Sequence, residues 1–203
     1  KSNAYWHWIK EIAKILKWQD LKYIVADSYY EALLIHKVNK TPVLIIWYIN
    51  HNNFNKMKLK NITLMMYDIF NIQKLWETKR KVKIHLKINT WMNRLWVKLD
   101  DLDEVLEVIK KYKNITLEWV YSHFSQADEI DNSFTNNQIE IFSKAIEKIK
   151  NAWFDIKYTH IWNSAWSIKN LDFCNSTRAW LALYWVNPLF EKDEDFLKYS
   201  KLK

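Results

Sequence analysis

The amino-acid sequence predicts an α/β fold of the (β/α)₈ TIM-type barrel. Extended and helical patterns alternate along all 203 residues, and repeated strand–helix units build parallel sheets with helical crossovers. About seven strand patterns follow one another, so one more would close an eight-stranded barrel, and an open doubly wound sheet is the alternative. No linker rich in proline or serine divides the chain, and we treat residues 1–203 as one domain. Because the chain begins abruptly at Lys1, we expect a first strand to precede it.

The spacing of apolar residues places the elements in order. Strand patterns are expected over residues 23–26, 42–48, 62–67, 82–88, 115–121, 156–161 and near 176–184. Helical patterns are expected over residues 8–17, 29–38, 69–76, 100–112 and 135–150. Asp100 or Asp101 can cap the helix over 100–112, and Thr135 with Gln138 forms a capping box for the helix that follows.

One strand pattern carries polar residues on one face and apolar residues on the other. Lys83, His85 and Lys87 alternate with apolar residues over 82–88. The apolar face should pack on the helices, which directs Lys87 into the barrel near the carboxyl end of its strand. A buried lysine needs a partner, and barrel sites lie at that end of the strands. Lys87 is therefore a candidate site residue.

Composition excludes several classes of function. The formal net charge is +8, but the lysines are scattered without an arginine cluster or basic stripe, which argues against nucleic-acid binding. The longest apolar run, over 42–49, is shorter than the roughly 20 residues of a membrane span, and no secretory leader pattern opens the chain. A single cysteine, Cys174, fits a reducing compartment. We expect a cytoplasmic protein with no nucleic-acid or membrane partner.

The chain contains no glycine and 13 tryptophans. Glycine normally makes up about 7% of a protein. Many of the tryptophans stand at loop and turn positions, where glycine is usual because it lacks a Cβ. The lack of glycine and the excess of tryptophan are both explained if tryptophan stands at positions where glycine is usual.

Five strings resemble, in order and spacing, the motifs of the pyridoxal-phosphate-dependent alanine racemases. The opening string KSNAYWHW resembles a lysine followed by N-A-Y-G-H-G, and HLKINTWMNRLWV resembles H-L-K-I-D-T-G-M-x-R-L-G-V. The others are LEWVYSHFSQADE, THIWNSAWS and STRAWLALYWVNP. On its own, a residue such as His123 is more often a histidine of the core than a site residue. The order of the five strings, over residues 1 to about 188, favours the family.

The first two strings imply roles for four residues. Lys1 is similar to the lysine that forms the Schiff base with pyridoxal 5'-phosphate, and Tyr5 to a tyrosine that helps hold its phosphate. Arg94 falls on the arginine that reaches the phenolic oxygen of the cofactor. Lys87 falls on the lysine, sometimes a carbamate, that supports this arginine.

The remaining strings imply the rest of the cofactor site. His123 would lie beside the cofactor ring, and Arg178 would be the partner of the pyridine nitrogen. An arginine does not readily give up a proton, so it leaves that nitrogen unprotonated and limits the electron sink, which suits racemisation. The resemblance names Lys1, Arg94 and His123 as catalytic. It adds the cofactor-binding residues His160, Asn163, Ser164 and Trp180, of which Ser164 is a phosphate ligand. It implies no metal ion.

The resemblance implies an alanine racemase that interconverts L-alanine and D-alanine, supplies D-alanine for peptidoglycan and acts as a homodimer. In the family a second catalytic base, a tyrosine, comes from a C-terminal β-domain of the partner subunit, which we expect to be missing here. Asn89 replaces the usual aspartate, and Trp91 and Trp96 replace glycines. Because indoles at glycine positions should block the cofactor, we expect this chain to be inactive. The alternatives are a non-catalytic pyridoxal-phosphate-binding protein of cofactor homeostasis and a basic, aromatic-rich protein with no cofactor.

Overall fold

The computed structural model describes residues 2–93, 95–126, 131–161, 174–179 and 182–184. Strands and helices alternate along these residues, as the sequence predicts. The strands are β1 (Ile24–Ala26), β2 (Val43–Ile45), β3 (Ile62–Met66), β4 (Val82–Lys87), β5 (Ile115–Tyr121) and β6 (Tyr158–His160). The helices are α1 (Ser2–Tyr5), α2 (Ile9–Ile15), α3 (Tyr29–His36), α4 (Ile69–Glu77), α5 (Leu102–Lys111) and α6 (Ser133–Asn151), with 3₁₀ turns at Leu16–Trp18, His51–Lys56 and Ala182–Tyr184.

The described strands form one sheet in the order β1-β2-β3-β4-β5-β6. The strand pairs β1–β2, β2–β3, β3–β4 and β5–β6 are parallel. Their registers include Val25↔Leu44, Leu44↔Thr63, Met65↔His85 and Val120↔Thr159, respectively. Strands that follow chain order without reversal are the pattern of a barrel, whereas the order of a doubly wound sheet reverses at its switch point. The barrel prediction is confirmed over its described strands, and the doubly wound alternative is wrong.

The chain divides into two compact units. The first comprises Lys1–Leu86 and Glu107–Leu117, and the second comprises Lys87–Leu106 and Glu118–Lys203. Side-chain caps begin two helices of the first unit: Ser28 Oγ accepts from Glu31 N at 3.2 Å, and Asp68 Oδ1 accepts from Asn71 N at 2.7 Å. Such caps satisfy backbone N–H groups that a helix leaves without partners.

The buried carboxylate of Glu31 fixes the start of the chain in the first unit. Its oxygens accept hydrogen bonds from Asn3 N at 2.9 Å and Asp27 N at 3.0 Å. The turn of α1 is left-handed, since Asn3 has φ 57° and ψ 44° and Ala4 has φ 56° and ψ 47°. Glu31 thus holds an unfavourable backbone conformation against the start of α3.

In the second unit, α6 carries a buried apolar stripe. Phe142, Ala145, Ile146 and Ile149 are all buried on this helix, at the i, i+3, i+4, i+7 spacing of one helix face. The predicted capping box is wrong, because α6 begins at Ser133 and carries Thr135 and Gln138 inside it, fully buried.

The strand expected near 176–184 is also wrong for its described residues. Residues 174–179 are irregular, and Ala182–Tyr184 is a 3₁₀ turn. Asn175 N donates to Thr159 O at 3.2 Å, but the return bond from Thr159 N goes to the Asn175 side chain at 2.9 Å. A side chain therefore occupies the place of a backbone ladder bond, so no strand forms here.

The burial of Cys174 makes its reactivity a test of the fold. Burial raises the pKa of the Cys174 thiol to about 12, and a hydrogen bond with the Ile161 backbone opposes this only in part. Only the thiolate is an effective nucleophile. We expect iodoacetamide to alkylate this chain slowly at pH 8 and much faster in urea, as followed by intact mass. Equal rates in both conditions would show that the Cys174 environment is not formed.

Candidate functional site

The candidate site lies in the second unit, where β4, β5 and β6 end. Lys87 is the last residue of β4, Tyr121 the last of β5 and His160 the last of β6. Ile88 N donates to Tyr121 O at 2.9 Å and Ser122 N donates to His160 O at 3.0 Å, which brings the three strand ends together. This is the end of a parallel barrel at which functional residues collect.

His123 and Arg178 are in direct contact. Arg178 Nη2 lies 2.7 Å from His123 Nδ1. A guanidinium can only donate hydrogen bonds, so His123 Nδ1 is the acceptor, which leaves the proton of the neutral imidazole on Nε2. The guanidinium carbon of Arg178 lies 5.8 Å from the centroid of the Tyr121 ring, close enough for a cation–π attraction. Two predicted site residues, 55 positions apart in sequence, thus meet.

Tyr121 and His160 form a buried aromatic platform beside this pair. Their rings stack with centroids 4.9 Å apart and planes 8° apart. Burial raises the pKa of the Tyr121 phenol well above its ordinary value, and the charge of Arg178 only partly opposes that rise. The Tyr121 hydroxyl is buried without a hydrogen-bond partner among the described residues. An unsatisfied buried hydroxyl of this kind is open to a ligand atom.

Lys87 is buried, as predicted, with 8% of its surface exposed. Its Nζ lies 3.9 Å from the centroid of the Trp96 ring, and that indole lies 6.3 Å from the Tyr121 ring. A cation over the face of an indole is stabilised by the ring quadrupole, more strongly where water is excluded. Trp96 therefore partners Lys87 at a position where the resemblance expects glycine.

The loop between β4 and the bridge at Val97 carries the predicted Arg94 position. Val97 N donates to Lys87 O at 2.8 Å, and Asn89 N donates to Val97 O at 2.7 Å, so the loop returns to its own starting point. Asn89 Oδ1 accepts from Asn93 N at 3.1 Å. A carboxylate oxygen could accept the same bond, so this contact does not require an asparagine at position 89.

Gln138 joins the loops that follow β4 and β5. Its Nε2 donates to Thr90 O at 2.6 Å, Thr90 Oγ1 at 3.0 Å and His123 O at 3.1 Å. Its Oε1 accepts from Ser125 N at 3.1 Å. A further bond of 2.7 Å joins the hydroxyls of Thr90 and Ser122. Gln138 thus fixes the backbone of His123. These bonds involve neither the His123 ring nor Arg178.

Sequence reasoning missed this role of Gln138, although a signal for it exists. Gln138 precedes Phe142, Ala145 and Ile149 at helical spacing, so a polar side chain interrupts an apolar stripe. A polar residue on a buried face must find hydrogen-bond partners.

One predicted site residue belongs to the first unit, and five lie outside the described residues. Tyr5 is half-buried in the left-handed turn of the first unit, with φ 56°. Lys1, Arg94, Asn163, Ser164 and Trp180 lie outside the described residues. Among the described residues, no group of three or more histidine, cysteine, aspartate or glutamate side chains could hold a metal ion.

The described part of the site suits a flat, aromatic, anionic ligand. The buried Tyr121 and His160 rings make the strand ends aromatic, Arg178 offers a positive charge and donors, and the Tyr121 hydroxyl has an unused hydrogen-bonding capacity. These features match the chemistry of a pyridine ring that carries a phenolic oxygen and a phosphate. The residues present therefore fit such a cofactor, apart from the Trp96 indole that occupies space beside Lys87. No helix in the described residues is long and apolar enough to cross a bilayer.

The family model for the alanine racemase N-terminal domain matches residues 1–188. An alanine racemase of Geobacter sp. (strain M21) is 31% identical over 204 residues, covering 93% of this chain and 52% of the relative. One of Carboxydothermus hydrogenoformans is 33% identical over 170 residues, covering 81% of this chain and 46% of the relative. A solved alanine racemase of Clostridium difficile 630 superposes with a TM-score of 0.83 at 26% identity, covering 90% of this chain and 52% of that structure. The chain spans about half the length of the relatives it matches.

We expect Gln138→Leu to destabilise the second unit. The leucine would leave the buried Thr90 carbonyl without this partner, at a cost of about 1–3 kcal/mol. It would also remove the partly buried bonds to His123 O and from Ser125 N. Urea denaturation followed by circular dichroism gives the free energy of unfolding.

Asn137→Leu is the matched control, because Asn137 is exposed on the same helix. That change should alter the free energy of unfolding by no more than about 0.5 kcal/mol. If both variants unfold at the same urea concentration, the Gln138 hydrogen bonds do not hold this site together.

Proposed function

Because the chain belongs to the alanine racemase N-terminal domain family, we propose that it is the cofactor-binding barrel of a pyridoxal-phosphate-dependent alanine racemase. Its substrates are L-alanine and D-alanine, and its product supplies peptidoglycan synthesis in the cytoplasm. The contact of Arg178 with His123, at 2.7 Å, is the structural observation that supports this function most. The complete enzyme acts as a homodimer.

Different residues of this chain would bind different parts of pyridoxal 5'-phosphate. Lys1 would hold the cofactor through its amine, and Tyr5 and Ser164 would hold the phosphate. His160 and Asn163 would complete the cofactor-binding set. When bound, the cofactor withdraws electrons from the α-carbon of the amino acid and so acidifies its proton. Lys1 takes or returns that proton on one face of the substrate.

Arg178 tunes the acidity that the cofactor confers. The arginine keeps its proton, so it would donate a hydrogen bond to the pyridine nitrogen of a bound cofactor without protonating it. His123 supports this arrangement, because its Nδ1 accepts from Arg178 and steadies the guanidinium. The moderate electron withdrawal that results suits proton exchange and disfavours other reactions of the substrate.

Lys87 and Arg94 complete the proposed site. Lys87 ends β4 inside the candidate site, and it positions Arg94, which reaches the phenolic oxygen of the cofactor. In this chain Lys87 also lies over the Trp96 ring, with its Nζ 3.9 Å from the ring centroid.

We expect this chain to show no racemase activity. Racemisation needs proton-transfer groups on opposite faces of the substrate, and Lys1 supplies one of them. General acid–base catalysis by one such group contributes about 10²–10⁴-fold. The purified chain is incubated with L-alanine and cofactor, and D-alanine is measured by chiral chromatography. Turnover by the 203-residue chain would contradict both the need for a second base and the steric block.

We also expect tryptophans at the phosphate site to prevent cofactor binding. Trp162, Trp166 and Trp180 lie beside Ser164 and Arg178 in sequence. An indole that buries about 150–250 Å² of apolar surface cannot share a small pocket with a doubly charged phosphate. The combined change of Trp162, Trp166 and Trp180 to glycine should restore a visible absorbance band on titration with pyridoxal phosphate.

A matched triple variant separates this steric effect from a general effect of glycine. Trp18, Trp47 and Trp153 are exposed and lie outside the five strings, and their change to glycine should not restore the band. Adding Lys1→Ala to the first triple variant should abolish it. If the unaltered chain and the first triple variant bind the cofactor equally well, the steric proposal is wrong. A band that survives Lys1→Ala would contradict the role of Lys1.

A further inference from the structure

We propose that the 13 tryptophan positions of this chain are occupied by glycine in the protein that its native cell makes, because UGA codons there are decoded as glycine. Tryptophan and glycine would then be two readings of the same codon. The inference stands on backbone geometry, exposure and composition, and does not depend on the proposed racemase activity.

Most of the described tryptophans are exposed to solvent. Tryptophan is highly buried on average in folded proteins. Of the nine tryptophans among the described residues, six are exposed, with exposed fractions of 83% for Trp6, 71% for Trp8, 82% for Trp18, 46% for Trp47, 57% for Trp91 and 93% for Trp153. Exposed indoles scattered over both units contribute little burial, so hydrophobic stabilisation does not explain these residues.

The backbone gives a second and independent argument. Ten described residues have positive φ, and four of them are Trp6 (69°), Trp8 (64°), Trp91 (74°) and Trp153 (61°). Tryptophan makes up only 13 of the 203 residues. Positive φ brings Cβ against the backbone, which is unfavourable for a bulky residue and free of cost for glycine. Tryptophan is thus enriched in the conformation that specifically favours glycine.

The end of α6 has a hydrogen-bond pattern that typically selects glycine. Trp153 N donates to Lys150 O at 2.9 Å, and Phe154 N donates to Ile149 O at 3.3 Å. This pair of bonds is the Schellman motif, in which the residue after the C-cap, here Trp153, adopts the left-handed conformation. Glycine is the usual residue at that position, whereas the indole of Trp153 projects into solvent.

Trp8 is the most restricted of the four. It stands at the N-cap of α2 with φ 64° and ψ 99° and makes no side-chain capping bond. A ψ of 99° lies outside the left-handed helical region open to residues with a Cβ. Glycine adopts such angles readily and is accepted at an N-cap, so the local structure fits glycine and not tryptophan.

The composition accounts for both anomalies with one codon. Glycine, proline and most arginine codons are rich in G and C, and the chain has no glycine, two prolines and three arginines, Arg80, Arg94 and Arg178. Such usage indicates an A+T-rich gene in which GGN codons are avoided. UGA differs from the tryptophan codon UGG at its last base and from the glycine codon GGA at its first. A single reassigned codon therefore removes every glycine and adds every tryptophan.

The decisive experiment is peptide mass spectrometry of this protein from cells that carry its gene, together with the gene's codons. We expect UGA at all 13 positions and peptide masses that correspond to glycine there. A protein with glycine at all 13 positions contains no tryptophan, so the protein from these cells should also show no indole fluorescence. A tryptophan mass at any of these positions, or a UGG codon, would overturn the proposal.

Two variants of the chain test the backbone argument in isolation. Trp153→Gly should raise the urea midpoint of unfolding, because glycine relieves the left-handed residue after α6. Tyr30→Gly is the control, since Tyr30 is an exposed aromatic residue within α3, where glycine lowers helix stability. It should lower the midpoint. If Trp153→Gly also lowers it, the backbone does not select glycine and the inference fails.

Discussion

The hydrogen bonds of the Gln138 side chain are the interaction on which the candidate site depends. The carboxyl ends of β4 and β5 continue into loops whose backbone groups cannot pair within the sheet. Gln138 lies fully buried beneath them and pairs with Thr90 O, His123 O and Ser125 N. Because buried polar groups that lose their partners are costly, the two loops and α6 must adopt compatible positions together.

That constraint gives the His123–Arg178 contact its precision. Gln138 holds the backbone of His123 through the His123 carbonyl, and the His123 ring meets Arg178 at 2.7 Å. Beside it, the buried phenol of Tyr121 stays neutral, since desolvation raises its pKa. The site therefore concentrates positive charge and hydrogen-bond donors around a stacked aromatic surface. Such surroundings favour an anionic aromatic ligand over a metal ion.

A second constraint acts on the backbone and conflicts with the side chains. The chain turns through positive φ at Asn3, Ala4, Tyr5, Trp6 and Trp8 before α2 begins. The carboxylate of Glu31 helps to hold this stretch through Asn3 N. Hydrogen bonds there are well satisfied, yet bulky residues occupy positions where a Cβ is unfavourable. The conflict lies between fold and residue identity, and it is removed if glycine occupies the tryptophan positions.

The sequence by itself determined the order of strands and helices, the barrel class and the burial of Lys87. These follow from apolar periodicity, which is local and can be seen along the chain. The capping box at Thr135 and Gln138 and the strand near 176–184 were wrong, because both depended on partners distant in sequence. Only the tertiary structure decided that Gln138 bonds to Thr90, 48 residues away, and that Arg178 meets His123, 55 residues away. A side chain satisfies its hydrogen bonds wherever folding brings a partner, and sequence spacing does not encode that distance.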